Sequence, residues 1–427
     1  MLKQFIRYVS LNIMGMMGIS LYVLADTFFI ANGMGANGLT ALNLALPMFN
    51  VVSGLGLMIG IGGATRYSIM KQTASKEALD KLFALALETA LVIGVLIAFT
   101  GFFFSRPLSR LLGANETVLQ DTSTYLKVLL SFAPVFMTNY TLQCFVRNDG
   151  NPNLSMMGTL VGSLLNIVLD YVFIFPCGMG MFGAALATGA TPIISILILS
   201  THFINKKNGF SFRVVKIRVR ELLRVASLGA SSLIGEISSG VVMLMLNMLL
   251  LNLSGNIGVA AYGIIANIAI VALSIFTGLA QGIQPLLSAA CGTNDTWAIK
   301  KCYRYGRIAG FVLAGFIYAF VCIFAEQVSE VFDRDNNVEL VKIAAEGLRL
   351  YFVGFIFAGF NIVTAMYFNA TGRPTPSFVI SILRGFLLVI PCAVIMAMLF
   401  GIRGVWLAFA VTEAITMFVA LSFVRRK

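Results

Sequence analysis

Apolar stretches of about twenty residues recur along the whole chain, each long enough to cross a bilayer as a helix. We read twelve, the first at 5–31 and the last at 405–424, each followed by a short polar break. The runs are continuously apolar rather than alternating, as spanning helices require and barrel strands do not. With 59% hydrophobic and only 11% charged residues over 427 positions, the chain lacks the charges that a water-soluble globule carries. The expected fold is all-α and integral to the membrane.

The net charge of +12 could suggest a nucleic-acid partner, but the basic residues follow membrane topology instead. Lys3 and Arg7, the group Arg66, Lys71, Lys76 and Lys81, the cluster from 206 to 224, and Lys300, Lys301, Arg304 and Arg307 mark one side. Arg106, Arg110 and Arg403 fall on the other, so the positive-inside rule places both termini in the cytoplasm. Six cysteines have no pair spacing that would signal a disulfide framework or a metal site. The spans contain no HExxH and no paired nucleophile and base, so an enzyme is not expected.

The chain also repeats itself. At a shift of 220, Gly35 meets Gly255, Gly38 meets Gly258, Ala41 meets Ala261 and Gly62 meets Gly282. At a shift of 222, GNPNLS at Gly150 meets GRPTPS at Gly372, and at 221 GMFGAALA at Gly180 meets GIRGVWLA at Gly401. Twelve helices therefore fall into two pseudo-symmetric six-helix lobes, 1–205 and 222–427, joined by a basic cytoplasmic connector at 206–221. Parallel repeats of this kind occur in secondary transporters, whose substrate site lies between the halves.

A residue needed by the scaffold should appear in both copies, whereas one confined to a single copy is free for chemistry. Asp26 maps onto Leu246, Asn166 onto Leu388, Asp170 onto Cys392 and Thr188 onto Phe409. Asn166 and Asp170 stand four apart, on one helix face. An acid at membrane depth is costly and marks function by default. Two carboxylates, an amide and a hydroxyl form an oxygen environment suited to a hard cation; absent the cation, one acid would take a proton. The bland reading, in which each acid merely caps a helix end, is weakened by their joint restriction to one lobe.

Other polar residues in the spans are less specific. Glu236, Gln281, Gln284 and Glu413 either line a substrate cavity or hydrogen-bond between helices, and both readings stay open. His202, the only histidine, lies beside Lys206 and Lys207 and reads as an interfacial residue with no partner motif.

LADTFFIANGMGANGLTALNLALP, LNIVLDYVFIF, GLAQGIQPLLSAACG, GRPTPS and GVWLAFAVTE resemble the multidrug and toxic compound extrusion (MATE) family, in particular its MepA-like bacterial branch. The similarity runs over essentially the whole chain. It implies a two-lobed MATE/MOP-type fold in a bacterial cytoplasmic (inner) membrane, and export of organic compounds driven by entry of sodium or protons. The family's first-lobe cation site matches Asp26, Asn166, Asp170 and Thr188, which would hold sodium if sodium is the coupling ion, with Tyr22 and Asn139 nearby. The chain departs from the family in three places. The stretch 350–369 has no carboxylate, Glu236 lies about a turn from a family acid, and no proline precedes Pro47 to serve as a hinge in the first span.

The expected activity is cation-coupled antiport of amphipathic, often cationic compounds by rocking of the lobes. The expected partners are a small organic substrate and the lipid bilayer, for a chain acting as a monomer without a cofactor. A flippase for a lipid-linked precursor is the alternative. It would call for a basic cavity, whereas Lys and Arg avoid the spans.

Overall fold

The computed structural model describes residues 1–206, 208–212, 219–332 and 337–425. The centre of the expected connector, 213–218, lies outside the described residues. The described residues form helices α1 (Leu2–Met70), α2 (Lys76–Leu111), α3 (Leu119–Ser131), α4 (Ala133–Asn148), α5 (Pro152–Ile174) and α6 (Gly180–Ile204). There follow α7 (Val219–Gly292), α8 (Thr296–Phe332), α9 (Val338–Tyr351), α10 (Gly354–Ala370), α11 (Pro374–Ile382), a π-turn (Leu383–Leu387) and α12 (Val389–Arg425).

Counted as continuous helices, seven are long and apolar enough to cross a membrane, or nine if each bent pair is one span. Three breaks raise the number of passes to the expected twelve among the described residues. α1 reverses at Gly35 (φ 65°, ψ −156°) and α7 at Gly255 (φ 61°, ψ −151°), conformations that glycine adopts and a side chain with Cβ resists. α12 breaks at Gly401, and α3 with α4 and α9 with α10 form single bent spans of 48° and 44°.

The backbone repeats as the sequence does. Phe104 in α2 and Phe324 in α8 carry matching irregularities (φ −119° and −106°), and the positive-φ glycines Gly150 and Gly180 recur as Gly372 and Gly401. Each half thus contains six passes with the same interruptions. Large apolar side chains such as Leu96, Phe99, Phe316 and Met398 are exposed on the outside. That is the reverse of a water-soluble surface and suits acyl chains.

Contacts divide the chain into two compact units. Unit N comprises Met14–Ile237 and Ser288–Asp295; unit C comprises Met1–Ile13, Ser238–Leu287 and Thr296–Lys427. Compactness therefore does not follow the repeat boundary, because each half lends the start of its first helix to the other unit. Close-packed glycines account for the exchange. In unit C, Gly278 and Gly282 of α7 leave no room for a Cβ against the backbone of Ile13 and Val9. In unit N, Gly62 of α1 and Gly229 of α7 meet the backbone of Val225 and Met58 just as closely. Small residues that let helix backbones approach are the usual means of packing in a bilayer, where burial from water supplies no drive.

Unit C is built on two apolar clusters, one around Trp406, Tyr262, Phe276 and Phe355, the other around Val9, Ile283, Phe360 and Phe368. Unit N has an aromatic knot of Phe83, Phe145, Phe203 and Tyr67 closed by Phe210, which is fully buried although it lies in the segment after α6.

Candidate functional site

α5 starts cleanly, since Asn151 accepts a hydrogen bond from Leu154 N (3.3 Å) and Pro152 occupies the first turn. That start sets the face on which Asn166 and Asp170 project. Both are fully buried, and Asp26 on α1 and Thr188 on α6 are 7% and 6% exposed. All four belong to unit N. Asp170 lies within electrostatic reach of Asp26, and both carboxylates act on Tyr22 of α1.

The buried polar atoms of this set lack partners. Asp26 Oδ1, both oxygens of Asp170, and both Asn166 Oδ1 and Nδ2 make no hydrogen bond. Each unsatisfied buried polar group costs about 1–3 kcal/mol, and a charged one more. So many orphans on three neighbouring side chains form a cradle with open valences, and four of the five are oxygens. An oxygen-rich set of this kind suits a hard cation. Among the described residues no group of three or more His, Cys, Asp or Glu could hold a metal ion, and all six cysteines are free.

Thr188 Oγ1 donates to Ala184 O (3.1 Å), and its hydroxyl also hydrogen-bonds Tyr125 of α3. Tyr125 is almost fully buried, lies within reach of both carboxylates, and escaped the sequence reading. The symmetry test applied to hydroxyls would have found it: residues 345–347, its counterparts at the repeat shifts, are Ala, Glu and Gly. Asn139 of α4 accepts from Gln143 Nε2 (3.2 Å) and lines, with Tyr22, a partly open cavity of about 40 Å³ in unit N.

The four residues expected around a substrate cavity are divided between the units. Glu236 belongs to unit N, packs against Gly54 and lies within electrostatic reach of Tyr22 and Tyr140. Gln281 and Gln284 are buried in unit C. Glu413, also in unit C, is 1% exposed and fully engaged: Arg384 Nε donates to both carboxylate oxygens (2.8 and 2.9 Å), Arg384 Nη2 lies 2.7 Å from Oε1, and Asn361 Nδ2 donates to Oε2 (2.7 Å). The expectation that Lys and Arg avoid the spans therefore fails at Arg384, which a buried carboxylate neutralises. Arg384 is carried on the π-turn, a widened helical turn that often marks functional sites.

His202 also differs from expectation. It is buried, and its Nε2 stands 3.0 Å from Asp149 Oδ2. Asp149, in the turn between α4 and α5, further accepts from Tyr67 Oη, Lys71 Nζ and Gly209 N, each at 2.6 Å. Burial acts to raise this carboxyl, but the hydrogen bonds from His202, Gly209, Lys71 and Tyr67 prevail and hold it below its ordinary value. Gly209 is required there, because a Cβ would fall 2.5 Å from Tyr67 Oη and 2.7 Å from Asp149 Oδ1.

Comparison with known proteins places this arrangement in a family. The multidrug export protein MepA of Staphylococcus saprophyticus is 28% identical over 411 residues, covering 95% of this chain and 89% of its own; MepA of Staphylococcus aureus is 26% identical over 421 residues. A solved structure described as the outward-facing conformation of a multidrug resistance MATE family transporter of the MOP superfamily matches with a TM-score of 0.93 at 25% identity, covering 99% of this chain and 95% of that one. A MOP superfamily transporter from Pyrococcus furiosus, described as having a binding pocket of reversed polarity, shares the fold with a TM-score of 0.92 at 24% identity. The family model MatE matches residues 12–172 and 232–395, most of both halves. The chain belongs to the MatE family and is a multi-pass membrane transporter of the MATE type rather than an enzyme.

Proposed function

We propose that this protein exports small amphipathic, often cationic compounds in exchange for a cation, sodium or proton, that enters and binds at Asp26, Asn166 and Asp170. One observation carries the reading: the orphaned atoms of those three residues are buried together in unit N and ask for a positive charge. Thr188, Tyr22 and Asn139 complete the surroundings, and the relatives named multidrug export proteins support the substrate class. A membrane potential of about 100 mV supplies roughly 2.3 kcal/mol per charge moved, enough to drive nearly fifty-fold accumulation. Rocking of the lobes, with both termini in the cytoplasm and the protein acting as a monomer, is the mode of transport that goes with this reading.

The flippase alternative gains nothing from Arg384, whose guanidinium is held by Glu413. The test is efflux of ethidium from loaded vesicles under imposed sodium or pH gradients. Efflux that follows one of the gradients and is lost in Asp26→Asn and Asp170→Asn is expected; efflux indifferent to both gradients overturns the proposal.

A further inference from the structure

Unit N is not packed shut beneath the carboxylates. The cavity of about 40 Å³ opens one turn away from them, because its wall residues Tyr22 and Ser163 precede Asp26 by four and Asn166 by three positions. On α5 the polar residues Asp170, Asn166, Ser163, Thr159 and Ser155 recur at steps of three or four, hence along one face. At the α-helical rise that face extends roughly 22 Å, most of a hydrocarbon core.

α4 and α6 supply the opposite wall. Gln143 Nε2 donates both to Asn139 Oδ1 and to Ser195 Oγ (3.2 Å each), and Ser155 Oγ donates to Gln143 O (3.3 Å). Further along α6 a second, partly open cavity of about 150 Å³ is lined among others by Asn151, Asn205 and His202. Asn151 Nδ2 stands 3.5 Å from His202 Nδ1, and His202 leads to Asp149 and the half-exposed Lys71. The positive-inside rule puts this end in the cytoplasm.

Polar side chains between helices in a bilayer are often glue, and glue needs no space. Here polar groups border open space, and room for a water needs only roughly 10–15 Å³ and two to four polar partners. Along α4 and α6 the lining of the first cavity ends at Gln143 and Ser195, which hydrogen-bond each other, and the lining of the second lies beyond them on α6.

We propose that the cation bound between Asp26 and Asp170 leaves through the interior of unit N itself, along the two chambers, with the Gln143–Ser195 hydrogen bond as the gate and the His202 chamber as the outlet. The inference rests on the cation site proposed above and adds the route. A gate is essential, since a continuously open file would let the cation run down its gradient without exporting anything.

The test uses the full-length protein in vesicles that contain sodium-sensitive and pH-sensitive dyes, under an inward sodium or proton gradient. With no substrate present, Gln143→Ala should admit the coupling cation at least tenfold faster than the parent. Ser195→Leu, which fills the crossing, should slow ethidium-coupled cation entry at least tenfold while sodium or acid still raises the unfolding temperature as in the parent. Both variants within twofold of the parent would overturn the route. Should Ser195→Leu fail to fold, the presence or absence of a leak in Gln143→Ala decides alone. Failure of the site reads differently: Asp26→Asn that keeps gradient-driven exchange refutes the carboxylates, whereas a tight Gln143→Ala beside an inactive Asp26→Asn refutes only the passage.

Discussion

The two halves of this repeat each place a polar centre among their buried helices, and they solve the cost of doing so in opposite ways. In unit C the charges are closed on themselves: Glu413 is held by Arg384 and Asn361, and the pair is neutral. In unit N the acids Asp26 and Asp170 have no basic partner among the described residues, and Asp26 Oδ1 and both oxygens of Asp170 stand unpartnered with Asn166 between them in sequence. The repeat makes the comparison fair, since Asn361 of α10 lies 222 positions after Asn139 of α4, the shift that relates Gly150 to Gly372. A closed centre has its charges satisfied within the fold, while an open one leaves room for the cation proposed above. The difference teaches that burial of charge alone says less than burial without a partner.

The comparison breaks most readily at Arg384. Arg384→Met leaves Glu413 buried with no cation beside it, only the Asn361 amide, and breaking a buried pair costs about 3–5 kcal/mol, read as a drop in the thermal unfolding midpoint. The double variant Arg384→Met with Glu413→Leu should recover most of that loss; a single variant as stable as the parent would show that the centre is not closed. Next in size is the response of unit N to its ion. A ligand at a hundred times its Kd stabilises by about 2.7 kcal/mol, so sodium or acid should raise the unfolding temperature of the parent and of Arg384→Met plus Glu413→Leu, and not that of Asp170→Asn.

Smaller effects sharpen the contrast at the Asp149 hub, a third solution in which a buried acid is saturated by donors. Gly209→Ala forces an overlap with Tyr67 and Asp149, and overpacking of this kind costs about 1–3 kcal/mol in denaturation of the purified protein. The pH dependence is the smallest. Because the folded carboxyl of Asp149 lies below its ordinary value, its contribution is complete above the unfolded pKa of about 4 and fades as pH falls below that through the folded value. Unfolding midpoints measured from pH 6 to 3 should therefore decline more steeply in the parent than in Asp149→Asn.

Much of this was legible in the chain. Twelve passes and the internal repeat follow from local pattern, because a span needs only length and apolarity. Asp26, Asn166, Asp170 and Thr188 stood out as candidates because the second copy lacks them. Pairings across distant segments were not legible. Nothing near His202 announces Asp149, 53 residues earlier, and nothing near Glu413 announces Arg384, since a carboxylate looks alike in sequence whether it is paired or bare. Tyr125 was missed because the comparison of the two copies took in the acids, Asn166 and Thr188 but not the tyrosine hydroxyls.

The exchanged helix starts bear on how such a chain is made. Gly278 follows Ile13 by 265 positions, so Met1–Ile13 enters the membrane long before its seat in unit C has been synthesised. Unit N in turn waits for Val219–Ile237, which lies beyond the sixth pass. Reciprocal loan of one element between two copies is the geometry of a domain-swapped dimer, here joined into one polypeptide. A six-helix half produced alone would carry one unseated helix start and one vacant seat, and two such halves could satisfy each other.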